Sequence, residues 1–105
     1  MKKLLLSFLI LFPCACYAGW SQGWGTVTQV ISHNGQHIIY TTIPDALCNS
    51  NGKFWWPSDD SDAKDMYSMA LAAFMGGKEV SVAYNENTPE CLYNNIAKAT
   101  HMKIR

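Results

Sequence analysis

Residues 24–43 read WGTVTQVISHNGQHIIYTTI, and the fold turns on them. Trp24 to Ser32 is rich in Thr and Val and at first alternates polar with apolar, which marks a strand. The alternation then slips: Val27 and Val30 are an odd number of residues apart, so both face one core only if the strand bulges or bends between them. Asn34-Gly35 follows, a pair that tolerates the positive φ of a tight hairpin turn. His37–Ile43 is then the returning strand, ended by Pro44.

Downstream, Pro44–Gly52 is a loop of turn formers that carries Cys48, and Lys53–Trp56 is a short aromatic strand stopped at Pro57. Ser58, Asp59, Asp60, Ser61 and Asp62 offer N-caps for a helix running to about Met75. The acids through Asp65 suit the positive end of its dipole, and Gly76-Gly77 stops it. Lys78–Tyr84 alternates with Val80, Val82 and Tyr84 on one face, Asn85–Glu90 is a polar turn, and Ile96–Ile104 supplies a last strand. The order β-β-β-α-β-β is that of an OB-fold-like Greek-key barrel of five strands, mainly β with one helix. A bent first strand belongs to both halves of such a barrel. A ferredoxin-like or open-sheet α+β arrangement gives a similar string.

Upstream, Met1-Lys2-Lys3, the apolar run Leu4–Phe12 and the ending Cys16-Tyr17-Ala18 read as a cleavable export signal, residues 1–18. Removing 18 residues from 105 leaves 87, Gly19 to Arg105, as a single secreted or periplasmic domain. Lys2 and Lys3 leave with the signal, so 6 basic side chains face 8 acidic ones. That balance, with no basic cluster, argues against nucleic acid, and the apolar run is too short for a membrane span of about 20 residues. Cys16 as a lipidation site is the competing reading, although Pro13-Cys14-Ala15 lacks the usual Leu of a lipobox. Cys48 and Cys91 remain, an even pair in an oxidising compartment, and one disulfide is the natural reading. A metal site from these cysteines lacks the C-x-x-C spacing.

Two features carry more apolar surface than one small core needs. Between Met66 and Met75 only Ser68 is polar. Met66, Tyr67, Ala70, Leu71 and Phe74 form the stripe expected to cover the barrel, leaving Met69, Ala72, Ala73 and Met75 as a second face for an oligomer interface. The bland alternative is that alanines are good helix formers and methionines cover an edge. Trp55 and Trp56 are adjacent in a strand, so one fills the core and the other faces outward, either under the Cys48 loop or toward a ligand. The candidate ligand-binding residues are Trp24, Thr26, Tyr40, Trp55 and Trp56. His33, His37 and His101 read as exposed residues with no carboxylate or serine beside them by spacing. The acids from Asp59 to Asp65 lack the glycine and terminal Glu of a calcium loop. The expectation is a non-enzymatic protein without a metal or cofactor.

The run Phe54-Trp55-Trp56-Pro57-Ser58 leading into a helix, then Gly77-Lys78-Glu79-Val80-Ser81-Val82, resembles the cell-binding B subunits of pertussis-like AB toxins, notably the subtilase-cytotoxin type. The similarity covers the middle half of the mature chain. It implies an OB-fold subunit in a pentameric ring, with helices around a pore, glycan sites on the outer faces, often for sialylated sugars, and a partner A-type subunit. Those subunits grip the sugar carboxylate with a serine in the first strand. That place falls near Gly25 or Thr26 here, and Ser21 lies earlier. Two functions follow as expectations, a ring-forming glycan-binding subunit or a small secreted protein-interaction factor such as an inhibitor.

Overall fold

The computed structural model describes residues 18–105 apart from Gln22, Asp45, Ala46, 86–89 and Asn94. The export signal therefore lies outside the described residues but for Ala18, as does most of the turn expected at Asn85–Glu90. Strands β1 (Ala18–Trp20), β2 (Gly25–His33), β3 (Gln36–Thr41) and β4 (Lys53–Pro57) precede the helix α1 (Ala63–Gly76). Strands β5 (Glu79–Asn85), β6 (Cys91–Leu92), β7 (Ile96–Lys98) and β8 (His101–Ile104) follow it. They form one curled, strongly curved mixed sheet, a half-barrel ordered β1-β5-β2-β3-β4-β7-β6, with β8 also on β5.

The phase slip in the first strand is a real irregularity, since the β2–β3 register shifts between Val27 and Gln29. The bend lets β2 pair with β5 at Gly25 and Thr26 and with β3 along the rest of its length. Asn34 (φ 50°) and Gly35 (φ 74°) make the hairpin turn, as their tolerance of positive φ requires. Gly25 is needed for space rather than for φ. A Cβ there would lie 2.7 Å from the Ile43 nitrogen, so β2 crosses this close contact only without a side chain.

The last strand expected over Ile96–Ile104 divides in two. β7 pairs in parallel with β4, whereas β8 pairs antiparallel with β5. The switch lies at Ala99 and Thr100, whose N–H groups donate to the Trp55 and Ala83 carbonyls respectively. β6 and the short helical turn Leu47–Asn49 are joined by the disulfide Cys48–Cys91, as the cysteine count predicts. A disulfide of this kind persists in oxidising compartments outside the cytoplasm. Among the described residues no helix is long and apolar enough to cross a membrane.

The core joins Val27, Ile39, Phe54, Trp56, Val80, Val82 and Tyr84 of the strands to Ala63, Met66, Ala70 and Ala73 of α1. Here the expected helix phase is corrected. Ala73, assigned to an outer interface face, is 1% exposed, while Phe74, assigned to the core stripe, is 48% exposed. The reason is size matching: bulky Phe54 and Trp56 fill the interior, so beside Met66 the helix approaches on Ala63, Ala70 and Ala73 and turns Phe74 and Met75 away. The Trp56 indole also donates to the Ala63 carbonyl at 3.1 Å, which fixes the first turn over the ring. Asp62 occupies the N-cap without a side-chain cap hydrogen bond, and Gly77 (φ 64°) ends the helix in the left-handed conformation.

Candidate functional site

The outward face of β5 is built from small residues. Val80, Val82 and Tyr84 point to the core, so Ser81 and Ala83 point out, yet they are only 3% and 1% exposed. Longer side chains from both neighbouring strands cover them. Trp20 of β1 and His101 of β8 lie directly opposite Ala83, and Lys103 of β8 lies opposite Ser81. Arg105 exchanges backbone hydrogen bonds with Glu79, and its Nε donates to the Glu79 carboxylate at 3.0 Å.

Trp24 completes the row from the loop between β1 and β2. The Lys103 ammonium sits 4.3 Å from the Trp20 ring centre and 5.3 Å from that of Trp24. The Arg105 guanidinium is 4.2 Å from the Trp24 centre. Indole and cation therefore alternate in the order Trp20, Lys103, Trp24, Arg105. Trp20 remains 44% exposed, and Lys103 has no carboxylate partner within ion-pair distance among the described residues. Beneath them the buried Ser21 hydroxyl accepts from the Val82 N–H at 3.2 Å and lies 3.4 Å from the Ser81 hydroxyl. Ser21 therefore ties β1 to β5 as a structural link, and Gly25 has no room for a serine. Chemically this face offers aromatic planes for stacking beside fixed positive charge.

The other expected ligand residues scatter. Trp56 is fully buried, which removes it from any binding surface and corrects its place among the candidates. Trp55 is the outward member of the pair, but Lys98 lies 5.8 Å over its ring and its Nε1 donates to the Glu90 carbonyl at 3.2 Å. Glu90 also pairs with Lys98 at 3.4 Å, so this Trp is engaged beside the Cys91 strand. Tyr40 is half-buried on β3 under Lys53, and Thr26 is hydrogen-bonded to Thr42 at the rim of β2. Of the five, Trp24 alone joins the indole–cation row. Sequence reasoning does not single out Trp20, Lys103 and Arg105. The signal for the two cations lies in His101-Met102-Lys103-Ile104-Arg105, whose alternation puts basic residues on one face and Met102 and Ile104 on the core.

His37 departs from the expected exposed turn residue. It stacks on Tyr67 with ring centres 4.3 Å apart, lies 5.7 Å from Trp56, and burial lowers its pKa. On α1, Met75 (82% exposed) and Phe74 stand out with Ala72, whereas Met69 is half-buried. Met69 borders a small open cleft between α1 and β8, together with Asp62, Asp65, Met66, Thr100, His101 and Met102. Among the described residues no three of His, Cys, Asp and Glu gather to hold a metal ion. Compared with protein-family models, curated proteins and solved structures, the chain matches none.

Proposed function

We propose that this chain is an exported, non-enzymatic glycan-binding module that assembles as a ring through its helix. The observation that carries the reading is the alternation of Trp20, Lys103, Trp24 and Arg105 on one outward sheet face. Sugar rings stack on indole through their apolar faces, and a neighbouring cation suits an acidic sugar. Export accords with the disulfide, and the barrel is read as the five-stranded OB type. Support for that topology comes from β2, which reaches both β3 and β5, and from the run β7–β8, which passes from β4 to β5.

Oligomerisation rests on the exposed Ala72, Phe74 and Met75, with a pentamer and an A-type partner subunit implied by the toxin resemblance. The same helix face favours the second reading, a secreted protein-interaction factor. A glycan array probed with the purified mature protein separates the two. Binding abolished by Trp20→Ala and Trp24→Ala, in a species whose native mass is a multiple of the protomer and falls to it in Ala72→Glu, supports the ring-forming lectin. A monomer without glycan signal overturns it.

A further inference from the structure

We infer that Ser21 is the positioning residue of the indole–cation row: its hydroxyl stands in for a main-chain carbonyl, and that substitution turns the chain so that Trp24 reaches Lys103 and Arg105. Trp20 of β1 pairs with Ala83, and Gly25 of β2 pairs with Val80. Ala83 and Val80 each pair with β8 as well, so β8 holds one side of β5 and β1 and β2 share the other. Between those two pairs the N-terminal chain advances five residues while β5 advances three. Two residues are surplus to the ladder and must leave it, as at a bulge. Trp24 belongs to that excursion, so whatever folds the excursion decides whether the row has a second indole.

Ser21 follows Trp20 and stands opposite Val82, and its N–H donates to the Val82 carbonyl at 2.7 Å. A hydrogen-bonded antiparallel pair exchanges two main-chain bonds, and the second would run from the Val82 N–H to the Ser21 carbonyl. Here the Val82 N–H donates to the Ser21 hydroxyl instead, at 3.2 Å. The Ser21 carbonyl is thereby released and accepts from the Gly23 N–H at 2.9 Å. A bond between residues two apart reverses a chain in the fewest residues. The hydroxyl adds to it by donating to the Gly23 carbonyl at 3.4 Å. Gly23 has φ 80° and open space where a side chain would stand, so glycine is there for its conformation. Ser21 is 7% exposed, so it acts on a ligand through the placement of Trp24 and not by contact. Ser21→Ala takes the acceptor from the buried Val82 N–H, a cost that the main-chain carbonyl of residue 21 relieves by turning back into the ladder. The Gly23 N–H then loses its partner, and the turn that carries Trp24 opens.

This role deepens the glycan reading and rests on it for the ligand, whereas the placement of Trp24 is tested in the protein alone by NMR. In the parent, the Gly23 amide exchanges slowly with solvent although the residue is exposed, and the Trp24 ring holds the Arg105 side-chain methylenes upfield. Trp24→Ala supplies the reference without that ring current. Ser21→Ala, with its fold checked by circular dichroism, moves the Arg105 resonances to their Trp24→Ala positions and leaves Lys103 the shift it draws from Trp20. Gly23→Ala keeps the Ser21 hydroxyl and displaces the same resonances through the turn. On the glycan array both variants lose the binding of the parent, as Trp24→Ala does. Arg105 resonances that stay in place in folded Ser21→Ala, or a Gly23 amide in the parent that exchanges like an unbonded one, overturn the assignment. A parent without glycan signal overturns the function proposed above, and the resonances still decide the placement of Trp24.

Discussion

Breaking the Cys48–Cys91 bridge by Cys48→Ser with Cys91→Ser should cost about 4 kcal/mol. The two residues are 43 apart, and the chain-entropy model for a closed loop of that length gives roughly 13 cal/mol/K, or about 4 kcal/mol at room temperature. The loop holds β4, α1 and β5, so the bridge constrains the helix together with the strands on either side of it before they fold. In a domain of this size each kcal/mol moves the melting point by about 4–8 °C, so a fall of roughly 20 °C or more is expected by calorimetry. Cys48 itself has φ 57°, a left-handed conformation costing a non-glycine residue on the order of 1–2 kcal/mol. Cys48→Gly with Cys91→Ser should therefore recover a few degrees relative to the serine pair. That difference separates backbone strain from loop closure. A serine pair melting within about 5 °C of the parent would refute the loop-closure reasoning. A glycine variant no better than the serine variant would refute the strain reasoning.

Trp56→Ala should cost about 3–5 kcal/mol in chemical denaturation, since the ring is fully buried and its indole satisfies the Ala63 carbonyl. Trp55→Ala should cost markedly less, and equal losses would contradict the assignment of one Trp to the core. Acidification should destabilise the fold through His37, whose pKa is held below its usual value of about 6.5 by burial beside Tyr67 and Trp56. The unfolded chain then binds the proton more readily, so the stabilisation is present above about pH 6.5 and is lost as pH falls toward the folded-state value. His37→Phe, which preserves the stack on Tyr67, should flatten the melting curve's pH dependence between about 7.5 and 5, and an unchanged slope would count against it.

Much of this architecture is legible in the sequence because it depends on local chemistry. Asn34-Gly35 makes a turn wherever it occurs between two strands, Gly77 ends a helix because only the left-handed conformation satisfies the last turn, and the odd spacing of Val27 and Val30 requires an irregular register. The helix phase is not legible, for the opposite reason. From Met66 to Met75 nearly every residue is apolar, so periodicity carries almost no information about which side is buried. Met66 and Ala70 are buried as the expected stripe has them, and the volume of Phe54 and Trp56 across the interface decides the rest, in favour of Ala73 over Phe74. Strand β1 is hidden because Ala18–Trp20 is too short to show a period, and its partner in β5 lies some 65 residues away in sequence. Trp20 of the indole–cation row is hidden with it, since only the pairing with β5 brings that ring beside Lys103.

Strand β8 serves both the indole–cation row and the core, and the period of a strand explains how one short segment does so. Lys103 and Arg105 are on the outward face beside the indoles of Trp20 and Trp24, whereas Met102 is on the inward face against α1. A shift of β8 by one residue along β5 would exchange these sets, burying ammonium and guanidinium groups beneath the helix and exposing Met102 and Ile104. The pairs Val80 with Ile104 and Val82 with Met102 resist that slip through apolar contact, and the Arg105–Glu79 ion pair resists it from the solvent side. The small outward residues of β5 matter for the same reason. Bulk in place of Ser81 or Ala83 would lift Trp20 and Lys103 off the sheet while leaving the register intact. The indole–cation row is therefore specified twice, by the alternation of β8 that aims its cations and by the flat floor of β5 on which Trp20 lies.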